Sequence, residues 1–207
     1  MADGKSSRFD LYAIERLQAF SDGVFAVAIT LLVIDLKPPD LAHNVSNGVL
    51  WDAILAMREK FLIYFISFCV VGAMWATHTR KFMHIVRVDA PLLWLNIALL
   101  MAICLVPFVT AVHSAFGNLT AALLYLGTLA VASAIGTIIS WYGLSHPELA
   151  APGLGPGLVR DLKLGPALTT LIFVFAMGVS FWSLPAGRFA LFLIVPAAAF
   201  AGRRKHL

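Results

Sequence analysis

Within seven residues, Arg16-Leu-Gln-Ala-Phe20-Ser21-Asp22, an arginine, a serine and a carboxylate lead straight into an apolar run from Gly23 to Ile34. A charged group placed in hydrocarbon costs about 3 kcal/mol on insertion scales, so it is normally paired, turned inward and functional. Here the guanidinium, the hydroxyl and the carboxylate are able to supply one another. Such a cluster can hold helices together, contact an ion directly or bind a proton. Gln18 and Asp22 are four residues apart, so Asp22 lies one turn deeper and needs donors from outside its own helix. Trp75 and His78 near the end of a second apolar stretch, and Asn96 in a third, are expected at a similar depth. Structural support is the favoured role for Arg16, Ser21 and Asp22, ahead of ion contact and of proton sensing through His78.

The elements that must position these residues follow from composition. Hydrophobic residues make up 60% of the 207-residue chain and charged ones 13%, with a mean hydropathy of +0.88. Ordinary soluble domains carry about 25% charge. The fold class is therefore all-α, a polytopic membrane protein. A span needs roughly 20 apolar residues, and six stretches qualify, at 15–36, 60–79, 90–113, 118–142, 165–184 and 187–202. Pro107 and Pro196 fall inside two of them, which membrane helices tolerate when neighbours satisfy the freed carbonyl. The whole chain, 1–207, reads as one six-helix transmembrane domain.

Basic residues set the orientation, because short cytoplasmic loops carry the excess. With the amino terminus inside, Lys5, Arg8, Arg16, Arg80, Lys81, Arg87, Arg160, Lys163, Arg203, Arg204 and Lys205 are cytoplasmic. Only Lys37, Arg58, Lys60 and Arg188 fall on the other side. Both termini are thus expected in the cytoplasm. The first apolar stretch is too long for a signal-peptide core and lacks a cleavage site, so it is expected to stay in the mature protein.

The net charge of +4 comes from residues scattered at helix ends, which suits topology and anionic lipid rather than nucleic acid. Cys69 and Cys104 fall within spans without metal-ligand spacing and read as small apolar packing residues. His78 and His84 are six apart, which is no same-face metal spacing. No cofactor or resident metal is expected. Residues 37–59 form an external loop whose Leu50–Met57 portion suits a short interfacial helix with Trp51 at headgroup level. Residues 144–164, rich in proline and glycine, read as a non-helical cytoplasmic linker. Trp94, Trp141 and Trp182 fall where interfacial aromatic belts lie.

Along the first helix, Phe20, Val24, Val27, Leu31 and Ile34 form one stripe at steps of three and four, with Thr30 beside it. In a helix apolar all round, spacing alone favours ordinary packing for such a stripe.

The pattern Arg16-x-x-x-Phe20-Ser21-Asp22 before an apolar first span, with Trp75-x-x-His78 in the second and Asn96 in the third, resembles the transmembrane protein 175 potassium channel family. The resemblance covers nearly the whole chain, its specific residues concentrated in the first two helices. It implies a pore lined by the first helix of each subunit and lacking a Thr-Val-Gly-Tyr-Gly filter, a pentapeptide this chain does not contain. A single copy of six spans resembles the family's prokaryotic members, which are homotetramers, whereas two-copy members are dimers in endosomal and lysosomal membranes. A prokaryotic plasma membrane is the implied location, and potassium, as permeant ion, the implied partner among monovalent cations.

By the same resemblance, Val27, Leu31 and Ile34 match the bulky constriction positions and Thr30 the pore-facing threonine layer. Val27 departs from the usual isoleucine or leucine, which would widen that ring. The polar network of Arg16, Phe20, Ser21, Asp22, Trp75, His78 and Asn96 would hold the pore helix in place. Narrow aliphatic rings gate by dewetting, and threonine hydroxyls at one level suit a weakly hydrated cation.

Two other classes stand against the channel. A proton-coupled or small-solute secondary transporter using Asp22 and His78 would show repeated halves and helices broken at mid-membrane. An enzyme needs convergent acids, bases or metal ligands, of which the spans carry almost none outside the Asp22 and His78 group. The chain is expected to be no enzyme.

Overall fold

The computed structural model describes residues 3–190. Among these residues seven helices follow one another: α1 (Asp3–Leu31), α2 (Asn47–Ala56), α3 (Arg58–Phe82), α4 (Ala90–Phe116), α5 (Leu119–Ser145), α6 (Pro156–Ser180) and α7 (Leu184–Ala190). A 3-10 turn, Leu32–Asp35, extends α1. Among the described residues five segments are long and apolar enough to cross a membrane: Ala13–Asp35, Arg58–Phe82, Ala90–Phe116, Leu119–Ser145 and Pro156–Ser180. The expected sixth span, 187–202, lies almost entirely outside the described residues. No named strand occurs among them; a lone antiparallel bridge pairs Ile85 with Ala150.

Local sequence explains where the helices start and stop. Asp89 caps α4, its carboxylate accepting from the Leu92 amide at 2.9 Å, with proline following in the first turn. Gly117, at a φ of 57° that a side chain would resist, ends α4. Asn118 then caps α5 by accepting from the Ala121 amide at 2.9 Å. This two-residue connection forces α4 and α5 into an antiparallel hairpin. Ser46 caps α2, whose residues all escape burial and whose Trp51 is exposed, as an interfacial helix requires.

Two expectations are corrected. The linker drawn at 144–164 is really 146–155, because Pro156 is itself the first residue of α6, where its missing N–H costs nothing. The fifth span accordingly runs from Pro156 to Ser180 rather than from 165 to 184. Pro107 does not break its helix either, since α4 continues on both sides of it.

Helices in lipid gain little hydrophobic energy from one another, so they associate through close packing and hydrogen bonds. The face of α5 carries small buried residues, Ala121, Ala122, Ala132, Ser133, Gly136, Ser140 and Gly143, and α5 makes its most extensive contacts with α4 and α6. Ser133 donates to the Pro166 carbonyl at 3.2 Å and accepts from the Thr170 hydroxyl at 2.9 Å, joining α5 to α6. At the end of the bundle where α4 passes into α5, Ser67, Thr110 and Tyr125 join α3, α4 and α5, with 3.0 Å between Ser67 and Tyr125 and 3.3 Å between Thr110 and Ser67. At the opposite end Tyr142 donates to Asp89 at 2.5 Å, tying the end of α5 to the start of α4. Against this frame α1 lies on α3 and α4.

Cys69 and Cys104 are free and exposed on the outer faces of their helices rather than packed inside. Trp94, Trp141 and Trp182 are exposed, and the Lys163 ammonium lies 5.4 Å from the centre of the Trp141 ring.

Candidate functional site

One side of α1 is buried at steps of three and four, through Ile14, Leu17, Ser21, Phe25, Ala28 and Leu32. The opposite side is bare. Phe20 is 61% exposed, Val27 57%, Leu31 43% and Ile34 63%, and Thr30 is exposed between them. Val24, placed on this stripe by spacing, is half-buried and packs on the core. At that level the bare face passes through Gly23 instead. The Thr30 hydroxyl donates to the Val27 carbonyl at 2.9 Å. Its proton being directed back into the helix, the oxygen lone pairs are left for an outside donor or a cation.

Three hydrogen bonds fix the buried side and a fourth its rim. Ser21 donates to the Leu17 carbonyl one turn back at 2.8 Å. Asn96 on α4 donates its amide to Ser21 Oγ at 3.0 Å, and His78 Nε2 on α3 lies 2.8 Å from Asn96 Oδ1. Because the Ser21 proton goes to Leu17, Ser21 must accept from Asn96 Nδ2, and the Asn96 carbonyl then faces His78. His78 is thereby set as the tautomer protonated on Nε2. The fourth bond runs from Trp75 Nε1 on α3 to the Asp22 carboxylate at 2.7 Å.

Ser21 and Asn96 are fully buried and His78 is 2% exposed. The His78 ring is flanked by Phe25 at 5.5 Å and Phe82 at 4.5 Å between centres. An unpaired amide or imidazole there would carry the whole desolvation cost, so each bond matters. Arg16 lies exposed one turn before Phe20.

The grouping expected around Asp22 is therefore split in two. Trp75 serves Asp22, whereas His78 and Asn96 serve its neighbour Ser21. Consecutive residues point about 100° apart on a helix, so Ser21 faces inward and Asp22 faces the rim. For the same reason the Ser21 hydroxyl goes to its own helix rather than to the carboxylate. Trp75→Phe, which keeps the ring and removes the donor, is expected to lower the thermal stability of the purified protein by about 1 kcal/mol, since Asp22 is exposed and water partly replaces the lost bond. A melting curve in detergent beside wild type checks this.

Sequence reasoning missed the burial of Lys81. Counted among cytoplasmic loop charges, it is 2% exposed inside α3 and donates to the Gly136 carbonyl at 2.8 Å. Its three-residue step from His78, on the same face of a helix that runs one turn further than expected, is the signal that would have found it. Asp35 is half-buried at the end of the 3-10 turn. His113 is buried and stacks on Tyr125 at 5.3 Å. Among the described residues no three of His, Cys, Asp and Glu gather as metal ligands would.

This arrangement defines a class: an all-helical membrane protein whose first helix is clamped by polar bonds on one side and left bare along the other. Residues 16–107 match the family described as the endosomal/lysosomal potassium channel TMEM175. A Streptomyces collinus protein named as a potassium channel is 34% identical over 177 residues, covering 82% of this chain and 84% of the relative. The zebrafish (Danio rerio) protein named endosomal/lysosomal proton channel TMEM175 is 30% identical over 135 residues, covering 65% of this chain and 26% of that longer protein. Among solved structures, that of a protein described as a lysosomal potassium-selective channel TMEM175 homolog from Chamaesiphon minutus superimposes with a TM-score of 0.76. It is 26% identical and aligns over 95% of this chain and 100% of that one. The chain belongs to the TMEM175 family of ion channels, and is not an enzyme.

Proposed function

We propose that the chain is one subunit of a homotetrameric, potassium-permeable, leak-like channel whose central pore is lined by the bare face of α1. The observation that carries this reading is the division of α1 into two faces. The side held by Ser21, Asn96 and His78 fixes the rotation of the helix, and that rotation turns Val27, Thr30, Leu31 and Ile34 away from the subunit's own core. Four copies about an axis would bring these residues together as rings. Potassium as the permeant ion is supported by the Streptomyces and Chamaesiphon relatives, named as potassium channels.

In that assembly Val27, Leu31 and Ile34 form an aliphatic constriction. Such a ring offers a cation no oxygen, so it excludes water and ions when narrow and passes both when slightly wider. The Thr30 oxygens, their protons directed to Val27, supply a neutral ring one residue from Leu31. This favours the more weakly hydrated potassium over sodium by a modest margin. The Ser21, Asn96 and His78 chain, together with Trp75 and Asp22, acts as the clamp that holds the pore helix in rotation.

The sixth span is assigned to 187–202, which returns the chain to the cytoplasm and puts both termini there, in a prokaryotic plasma membrane. The whole chain then forms one domain. Against a transporter stands the continuity of the helices, since among the described residues each of the five spans runs unbroken through the membrane-length window.

The test is the reversal potential of purified protein in planar bilayers under a potassium/sodium bi-ionic gradient. Wild type is expected to reverse on the potassium side, and Thr30→Ala to move at least halfway toward zero without loss of current. Unchanged reversal in Thr30→Ala would remove Thr30 from the selectivity step.

A further inference from the structure

A cavity of ≈ 210 Å³ opens between α3 and α6, floored by α5 and backed by Phe25 of α1 and Leu99 of α4. Its wall is mainly apolar, Val70, Met74 and Pro166 among the lining residues, and Lys81 stands at its cytoplasmic end. Lys81 is 2% exposed, yet its ammonium, with three donors, makes a single hydrogen bond among the described residues, to the Gly136 carbonyl. A buried cation at membrane depth with so little compensation is costly unless an anion reaches it.

The charged groups lining the cavity are Lys81, Arg80 and Asp161, with His78 beside them. With Lys81 protonated, two cations and one carboxylate leave one positive charge, which a singly charged phosphodiester balances and a doubly charged phosphate monoester does not. Thr77, Ser133 and Thr169 also line it, but their hydroxyls already donate to the carbonyls of Ala73, Pro166 and Gly165, so the donors for an anion are those of the two basic side chains. Both walls are membrane-spanning helices, and the charged end lies near the cytoplasmic ends of both, Phe82 of α3 and Pro156 of α6. That is the depth of a lipid headgroup, and the apolar wall continues from it toward the membrane centre.

We propose that this cavity binds the phosphodiester of an anionic phospholipid of the cytoplasmic leaflet, with Lys81 as the principal ligand and the upper acyl carbons along Met74 and Val70. Such a lipid touches Phe25 from behind, on the side of α1 opposite Val27 and Leu31. The site itself does not depend on where the ions pass, so its test is one of binding.

Purified protein would be equilibrated with equimolar phosphatidylglycerol and phosphatidylcholine, and the lipids retained by the intact oligomer counted by native mass spectrometry. Wild type is expected to retain phosphatidylglycerol about tenfold over phosphatidylcholine. Lys81→Met should bring that ratio close to one, as the loss of a charge-assisted bond implies. Met74→Trp, which fills the cavity while keeping Lys81, should also lose the retained lipid, and decides the matter if Lys81→Met does not fold. Equal retention by wild type and both folded variants would overturn the proposal. So would displacement of the lipid by millimolar inorganic phosphate, which would mark a site for soluble anions, and so would a wild-type oligomer that holds no lipid.

Discussion

Leu31→Ala is expected to raise potassium flux through reconstituted protein about tenfold, which corresponds to a barrier lowered by about 1.4 kcal/mol. Leu31 makes no part of the buried core and is 43% exposed, so its truncation leaves the subunit's packing alone. In the proposed assembly, however, four leucines shorten at one level, and a ring that was narrow and dry becomes wide enough to hold water. Potassium efflux from loaded proteoliposomes, normalised to the amount of folded oligomer, gives the ratio directly. Leu171→Ala serves as the comparison, because Leu171 is 63% exposed on α6 and faces away from α1 in this reading. Similar flux for Leu31→Ala and wild type would place the barrier elsewhere.

Asn96→Leu should be the most damaging single change to the clamp. Leucine approximates the shape of asparagine but removes both of its bonds, leaving His78 Nε2–H without an acceptor and Ser21 Oγ without its donor. Unsatisfied buried groups cost about 1–3 kcal/mol each, so a loss of about 3 kcal/mol follows, or a transition lowered by about 10 °C for a chain of this size. Ser21→Ala breaks one of the two links and should cost roughly half as much. The double variant should fall well short of the sum, since both changes interrupt one chain of bonds. Strict additivity, read from melting curves of the four proteins, would mean that Ser21 and Asn96 act separately.

Asp22 and Ser21 illustrate where sequence reasoning reached and where it stopped. Their position before an apolar run marked the first helix as the place to look, and the charge and hydropathy patterns located five spans to within a few residues at most ends. Which partner each side chain finds depends on the rotation of α1 against α3 and α4, and rotation is set by packing that no single stretch encodes. Ser21 and Asp22 are neighbours in the chain but point about 100° apart, so His78 and Asn96 went to one and Trp75 to the other.

The start of α6 was obscured for a different reason. Gly153, Gly155, Pro156 and Gly157 together look like a breaker, yet proline at the first helical position begins a helix as readily as it ends one. Lys81 was hidden by its type, because a lysine beside Arg80 at the end of an apolar run reads as a solvated charge. Only the continuation of α3 to Phe82 carries it onto the buried face with His78. The bare stripe itself was visible as periodicity, but Val24 could not be told from Gly23 until the neighbouring helices were in place.

The central claim is that ions pass along the uncovered face of α1. Its most direct test is thiol modification of the conducting protein, with Cys69 and Cys104 first replaced by alanine, since both native thiols are exposed. Leu31→Cys and Leu171→Cys would then be compared in planar bilayers during exposure to silver ions, which are close to potassium in size. Rapid, lasting block of Leu31→Cys current with no effect on Leu171→Cys is the expected result. A Leu31→Cys current that silver leaves untouched, in protein whose cysteine is shown to react after denaturation, would contradict the account and move the pathway off the first helix.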